Sequence, residues 1–186
     1  YLIKWFNVFN IPYTLDMNTS IFSDGPINDI YNFIQLCVYP DDSISLAGYL
    51  ASPFANLSEE SVEALLAGEN PEQWTDEVEK NKYRRAWDFY QTQRILTLSR
   101  PLTKTLEVLW NDCGYRYETM LSYRKSLYAE QFDMLFELAR QTDQDDKGIA
   151  WFADQLSQIK DKEISTFGDE VEINIDELTY PIEKGD

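Results

Sequence analysis

The stretch INDIYNFIQLCVYPDDSISLAGYLASPFANLSEESVEALL, residues 27–66, decides the fold class. Ile27, Ile30, Ile34 and Val38 recur at steps of three and four, and Phe33 and Cys37 widen the same face, which predicts a helix over 27–39. Pro40 ends it. Asp42 can cap a second helix, 43–51, expected to bury Ile44, Leu46, Ala47 and Leu50 before Ser52-Pro53 stops it. Ser58 is an N-cap for a third helix over 59–67, with Glu59 and Glu60 in the first turn, where the helix dipole favours acids. Gly68 fits the position after its C-terminus.

The pattern continues outward. Asn70-Pro71 opens a short turn, with Asn as cap and Pro at the first helical position. A long helix is expected over 76–99 with Tyr83, Ala86, Trp87 and Tyr90 inward, closed by Arg100-Pro101. Another follows over about 102–112, ending near Cys113-Gly114. Residues 115–141 read as two helical pieces, the second with Phe132, Leu135, Phe136 and Ala139 as its core face. Gln141 to Lys147 reads as a loop, and 148–161 as a last helix with Ile149, Phe152, Leu156 and Ile159 along one side. Toward the N-terminus, residues 2–9 form a short amphipathic helix. Ile11-Pro12-Tyr13-Thr14-Leu15 reads as a strand that Pro12 restricts to an edge or strand start, and Asp24-Gly25-Pro26 as a loop. After Asp161 the acid-rich remainder has no helical period. It reads as an extended tail, with a short strand at Val171–Ile175. The expected class is mainly α: a multi-helix domain with short strands near the two chain ends.

The 186 residues suit one domain, or one domain with a fragment of a second, and 44% apolar content with 5 Trp, 12 Tyr and 10 Phe can fill a core. No apolar run approaches ~18 residues, so no transmembrane helix is expected and the chain reads as cytoplasmic. It begins without Met and reads as a piece of something longer. Histidine is absent, which removes the commonest general base and any Ser-His-Asp or Cys-His mechanism. There is no phosphate-binding Gly-x-x-x-x-Gly-Lys-Ser/Thr, no Cys/His cluster and no calcium loop. No catalytic, cofactor-binding or metal-binding residue is therefore expected. Cys37 and Cys113 read as buried or inert thiols. The acid clusters Asp41-Asp42, Asp143-Asp145-Asp146 and Glu170-Glu172 are explained by caps, turns and solvated faces.

The net charge of −17 is unevenly spread. Residues 1–79 carry net −12 and residues 105–186 net −11, while 80–104 carry seven bases and one acid. This basic island holds Lys80, Arg84, Arg85, Arg94 and Arg100. Lys80 and Arg84 share a face at i, i+4, and Arg84 can pair with Asp88. Two readings stand: an exposed helix face that solubilises the domain, or a contact with a phosphate backbone.

The order of signals in the first third resembles the middle of superfamily 1 DNA helicases of the UvrD/Rep type, closest to the helicase–nuclease branch that includes AddA and RecB. The matching positions are Ile11-Pro12-Tyr13, Phe22, Ile27 with Asp29, Pro40-Asp41-Asp42, Leu50, Ser52-Pro53 and Leu57-Ser58-Glu59. YAEQFDMLFELAR and GIAWFADQLSQI look like the two helices that precede the return to the motor. The resemblance implies residues 1–20 as the edge of motor domain 2A, 21–162 as a helical 2B-type accessory domain, and 163–186 as an extended segment returning to the motor. It implies ATP and Mg²⁺ in the parent protein, with none bound by this fragment. The implied partners are duplex or forked DNA, the remaining motor domains and a nuclease or partner subunit; a membrane is not among them. The turn that touches duplex backbone in UvrD-type proteins falls at Asn56-Leu57-Ser58, with both of its glycines replaced and Glu59, Glu60 and Glu63 nearby. The implied role is to guide duplex DNA or regulate the motor. The alternative is a protein-interaction module that docks a partner without touching DNA.

Overall fold

A computed structural model describes Phe22 and residues 25–113, 115–122 and 125–171. Every regular element among them is helical, as the periodicity predicts. The two expected strands and the helix over 2–9 lie outside the described residues, except that Val171 is the last residue of a helix.

The first described helix, α1 (Pro26–Val38), starts with Pro at its first turn after Gly25, whose φ of 73° suits glycine. Ile27, Ile30, Phe33 and Ile34 are fully buried, and Asn32, Gln35 and Leu36 on other sides are buried too. A helix buried nearly all round is a central helix, and α1 packs against its neighbours on several sides. The next helix, α2 (Ser43–Ala51), is capped by Asp42, which accepts from the Ile44 amide at 3.0 Å and from the Ser45 hydroxyl at 2.7 Å.

The buried face of α2 is Ser45, Tyr49 and Leu50, with Leu46 and Ala47 partly buried, and the expected Ile44 is 79% exposed. Close approach explains the rotation. Gly48 faces Asn32 of α1 so tightly that a Cβ there would lie 2.7 Å from Asn32 Cγ. The face at 45, 48 and 49 turns to α1, and Ile44 turns out.

Ser58 caps α3 (Glu59–Leu66) by accepting from the Ser61 amide at 3.2 Å, and Gly68 at φ 91° follows its C-terminus. A 3-10 turn, Pro71–Gln73, is capped by Asn70. Asp76 caps the long α4 (Glu77–Thr97), accepting from the Val78 amide at 2.8 Å and the Glu79 amide at 3.3 Å.

The helix expected over 102–112 is divided. α5 (Leu102–Glu107) runs into a π-helical segment, Val108–Asp112, closed by Cys113 N–H donating to the Val108 carbonyl at 3.2 Å. The wider turn lets consecutive Leu109 and Trp110 both face inward. α6 (Tyr115–Met120) and α7 (Lys125–Gln144) follow. α7 outlasts the predicted loop start at Gln141 because its last turn has partners. Thr142 is fully buried, and the Asp143 carboxylate accepts from the Leu102 amide at 2.7 Å and the Thr103 amide at 3.0 Å. Pro101 stands at the N-cap position of α5 without a side chain that can cap, so Asp143 from α7 takes that part.

The last described helix, α8 (Ile149–Val171), buries Phe152, Ala153 and Leu156. It runs ten residues past the predicted end and across the proposed boundary at 162, so 163–171 are helical and not extended. Gly168 is the one strong helix breaker there, and a single interior Gly costs only about 1 kcal/mol.

Two sets of contacts organise the core. Tyr49 and Tyr90 lie beside Phe33, with ring centroids at 5.5 and 6.3 Å. Each donates its hydroxyl to a helix carbonyl, Tyr49 to Ala86 at 2.7 Å and Tyr90 to Leu36 at 3.0 Å. α1 and α8 pair antiparallel. Lys160 reaches Asn28 at 3.2 Å, Tyr31 meets Ser157 at 3.2 Å, Gln35 donates to the Ala153 carbonyl at 3.0 Å, and Tyr39 donates to Asp154 at 2.9 Å. The start of α1 therefore lies beside Lys160, with α8 continuing from there to Val171.

Candidate nucleic-acid interface

The bases of the island do not share one face. Lys80 sits buried against Glu77 at 2.9 Å, and Lys82 against Glu79 at 2.6 Å. Arg84 pairs with Glu72, its Nε 2.9 Å from Oε1 and a second nitrogen on Oε2. This fork replaces the expected pairing with Asp88 and holds the Glu72 carboxyl below its ordinary range. Lys104 pairs with Glu107 at 2.6 Å. Arg94 turns inward and donates to the Cys37 carbonyl at 3.3 Å, at the C-terminal end of α1 where the helix dipole favours a cation. Arg100 donates to Thr105 and Gln93. Arg85 remains exposed; its Nε bonds the Asn81 carbonyl of its own helix at 3.3 Å, and among the described residues no carboxylate pairs with it.

The turn at Asn56-Leu57-Ser58 is equally committed. Asn56 adopts φ 54°, the left-handed conformation glycine takes most freely and Asn tolerates. Leu57 is buried, with its amide on the Leu50 carbonyl at 3.1 Å. The Ser58 hydroxyl caps α3. A helix N-terminus of this kind is a ready anion site, and here the anion is internal: Glu79 accepts from the Ser58 amide at 2.9 Å while holding Lys82. The Lys82 hydrogen bond, followed by that of Ser58, draws the Glu79 carboxyl below its usual range.

Of the eight candidate residues, the fold brings two into one cleft. Asn56 and Arg85 line a cavity of about 690 Å³ with Phe54, Phe89, Lys82 and Asp112. Its chemistry is one exposed guanidinium between aromatic walls, close to an acid. That suits a single carboxylate or one phosphate and not a run of phosphates. Glu72, Glu77 and Glu79, which decide the electrostatics, stand just before the island. The i, i+3 spacing of Glu77 with Lys80 and of Glu79 with Lys82 is a readable signal.

Asp29, one of the resemblance positions, is half-buried and receives the Tyr115 hydroxyl; burial outweighs that bond and pushes its carboxyl up to about 6. Asp143 serves as a cap and Asp145 pairs with Lys147 at 3.1 Å. Burial pushes the Cys37 thiol up to about 12. Cys113 lies at the surface, and partial burial with Asp112 alongside pushes it up to about 11. Neither is a ready nucleophile. Among the described residues no group of three His, Cys, Asp or Glu is placed to hold a metal, and no helix is long and apolar enough to cross a membrane.

No protein-family model, no curated protein and no solved structure matches the chain.

Proposed function

We propose that the chain is a non-catalytic accessory module of the 2B type in a cytoplasmic ATP-dependent superfamily 1 helicase or helicase–nuclease, and that it regulates the motor through protein contact without gripping the duplex. ATP and Mg²⁺ belong to the motor domains. The observation that carries the choice of protein over DNA is the internal neutralisation of the cations. Lys80, Lys82, Arg84 and Lys104 hold carboxylates, Arg94 and Arg100 bond the domain's own polar groups, and Glu79 occupies the Ser58 amide. A polyanion would have to displace these partners on a body of net charge −17. The antiparallel pairing that sets Asn28 at the start of α1 beside Lys160 of α8 supports an inserted module, since such a body leaves its host chain and returns near one place.

The test is fluorescence anisotropy of a labelled duplex titrated with the chain at falling salt. No complex is expected. A complex that weakens steeply with salt and with Arg84→Ala and Arg85→Ala would overturn the reading. Arg85 favours a second reading, a single backbone contact; it would give a salt slope of about −0.9. The helicase assignment is tested by the parent reading frame, which is expected to hold a phosphate loop upstream and Thr-x-His-x-x-Lys-Gly downstream. Their absence overturns it.

A further inference from the structure

A groove of about 730 Å³ runs between the π segment, α6 and α7, lined by different residues from the Arg85 cleft, although both touch the π segment. Its floor is aromatic. Trp110 and Phe132 stack with centroids 4.4 Å apart at 11°, and Phe136 continues the row at 5.9 Å from Phe132. At one end Met120 lines the groove at 60% exposure, and Leu121 beside it in sequence is 71% exposed. A lone exposed Leu means little. Two successive exposed apolar residues continuing an aromatic groove are different, and an unbranched Met adapts to varied partners.

The α7 side of the groove is acidic. Glu130, Asp133 and Glu137 stand at i, i+3 and i+7, a stripe beside the Phe132–Phe136 floor. Glu137 holds Arg140 at 2.6 Å, whereas Glu130 and Asp133 are exposed and have no basic partner among the described residues. Asp133 lines the groove with Glu130 and Glu137 flanking it on α7, while the exposed Arg116 lines the α6 side. An apolar floor with carboxylates along one edge is the complement of an amphipathic helix whose margin facing α7 is basic.

We propose that this groove docks a basic amphipathic helix of a partner protein, with its apolar face on Trp110, Phe132, Phe136 and Met120 and its Lys or Arg residues against Glu130 and Asp133. The inference rests on the protein-contact reading and names the partner's chemistry. The charge of −17 would steer such a segment toward the domain, and the stripe would set its orientation.

The test is a titration of the full chain with a synthetic Leu/Lys amphipathic peptide of about 15 residues, long enough to form a helix on the surface, read by anisotropy of a label on the peptide. Saturable binding is expected. The double variant Glu130→Lys/Asp133→Lys should weaken it roughly tenfold or more, since like charges then face each other. Met120→Ser/Leu121→Ser should weaken it comparably, while Glu59→Lys/Glu60→Lys on α3, the same charge change elsewhere, should matter far less. All six positions are exposed, and circular dichroism checks that each variant keeps its helices.

An equal loss from the α3 reversal, or no loss in Met120→Ser/Leu121→Ser, overturns the proposal by reducing it to general attraction. Equal binding of a Leu/Glu peptide overturns the charge assignment. Self-association by sedimentation that Met120→Ser/Leu121→Ser abolishes, without peptide binding, overturns it in favour of a second copy. Duplex binding with the groove pattern intact would sink the protein-contact reading and leave the groove standing. Absence of both peptide and duplex binding would do the reverse.

Discussion

The Glu79 carboxylate accepts a hydrogen bond from the Ser58 backbone amide at 2.9 Å, so one helix supplies the anion for the N-terminus of another. Glu79→Ala removes that acceptor and the Lys82 partner together, and a destabilisation of about 1 kcal/mol is expected from a hydrogen bond at a partly shielded site. Because the folded carboxyl lies below its ordinary 4.5, its contribution is present above that value and lost as pH falls through the folded one. Urea unfolding of wild type and variant should therefore differ at pH 7 and converge in acid.

Asp29 has the opposite sign. Its carboxyl is about 6 folded against an ordinary 3.8, so the folded state binds the proton more tightly and stability falls as pH rises from 3.8 through 6. Two units correspond to at most about 3 kcal/mol. Asp29→Asn, which keeps an acceptor for the Tyr115 hydroxyl, is expected to flatten the pH 4–6 dependence relative to wild type and to raise Tm at pH 7. An unchanged slope in thermal melts across that range would refute the assignment.

Gly48→Ala places a methyl 2.7 Å from the Cγ of Asn32 across the α1–α2 contact. Overpacking of this kind typically costs about 1–3 kcal/mol. Asn32→Ala in the same chain should recover part of the loss, a non-additivity that a double-mutant cycle reads directly.

Asp143→Ala uncaps α5 from a distance. It removes acceptors from the Leu102 and Thr103 amides and from the Thr103 hydroxyl at 2.9 Å. The expected cost is about 1–2 kcal/mol, in the range for N-cap removal. Hydrogen exchange should show it first as faster exchange at 102–105, while α1 stays protected.

The helices were legible wherever a local signal sets them. Asp42, Ser58, Asn70 and Pro40 each act on their own neighbours, and each does in the fold what its chemistry predicts. What escaped was set by contacts distant in sequence. Ile44 faces water because Gly48 meets Asn32, and α7 runs past Gln141 because Asp143 has amides of α5 to bond. The π segment answers to the packing of Trp110 on Phe132, a contact no periodicity encodes. At the candidate interface, charge counted by segment marked 80–104 as basic. Counted by spacing, Glu77 and Glu79 already stand one turn before Lys80 and Lys82, whereas the fork from Arg84 to Glu72, the Arg94 bond to the Cys37 carbonyl and the Glu79 bond to the Ser58 amide required the fold.

The antiparallel seam between α1 and α8 also fixes how the body bears force. Tension applied between the start of α1 and residue 160 of α8 would load Lys160–Asn28 first, then Tyr31–Ser157, then Gln35 with Ala153, the order in which these bonds follow along the two helices. Tyr49 and Tyr90 take no part in these bonds; their hydroxyls join α2 to α4 and α4 to α1.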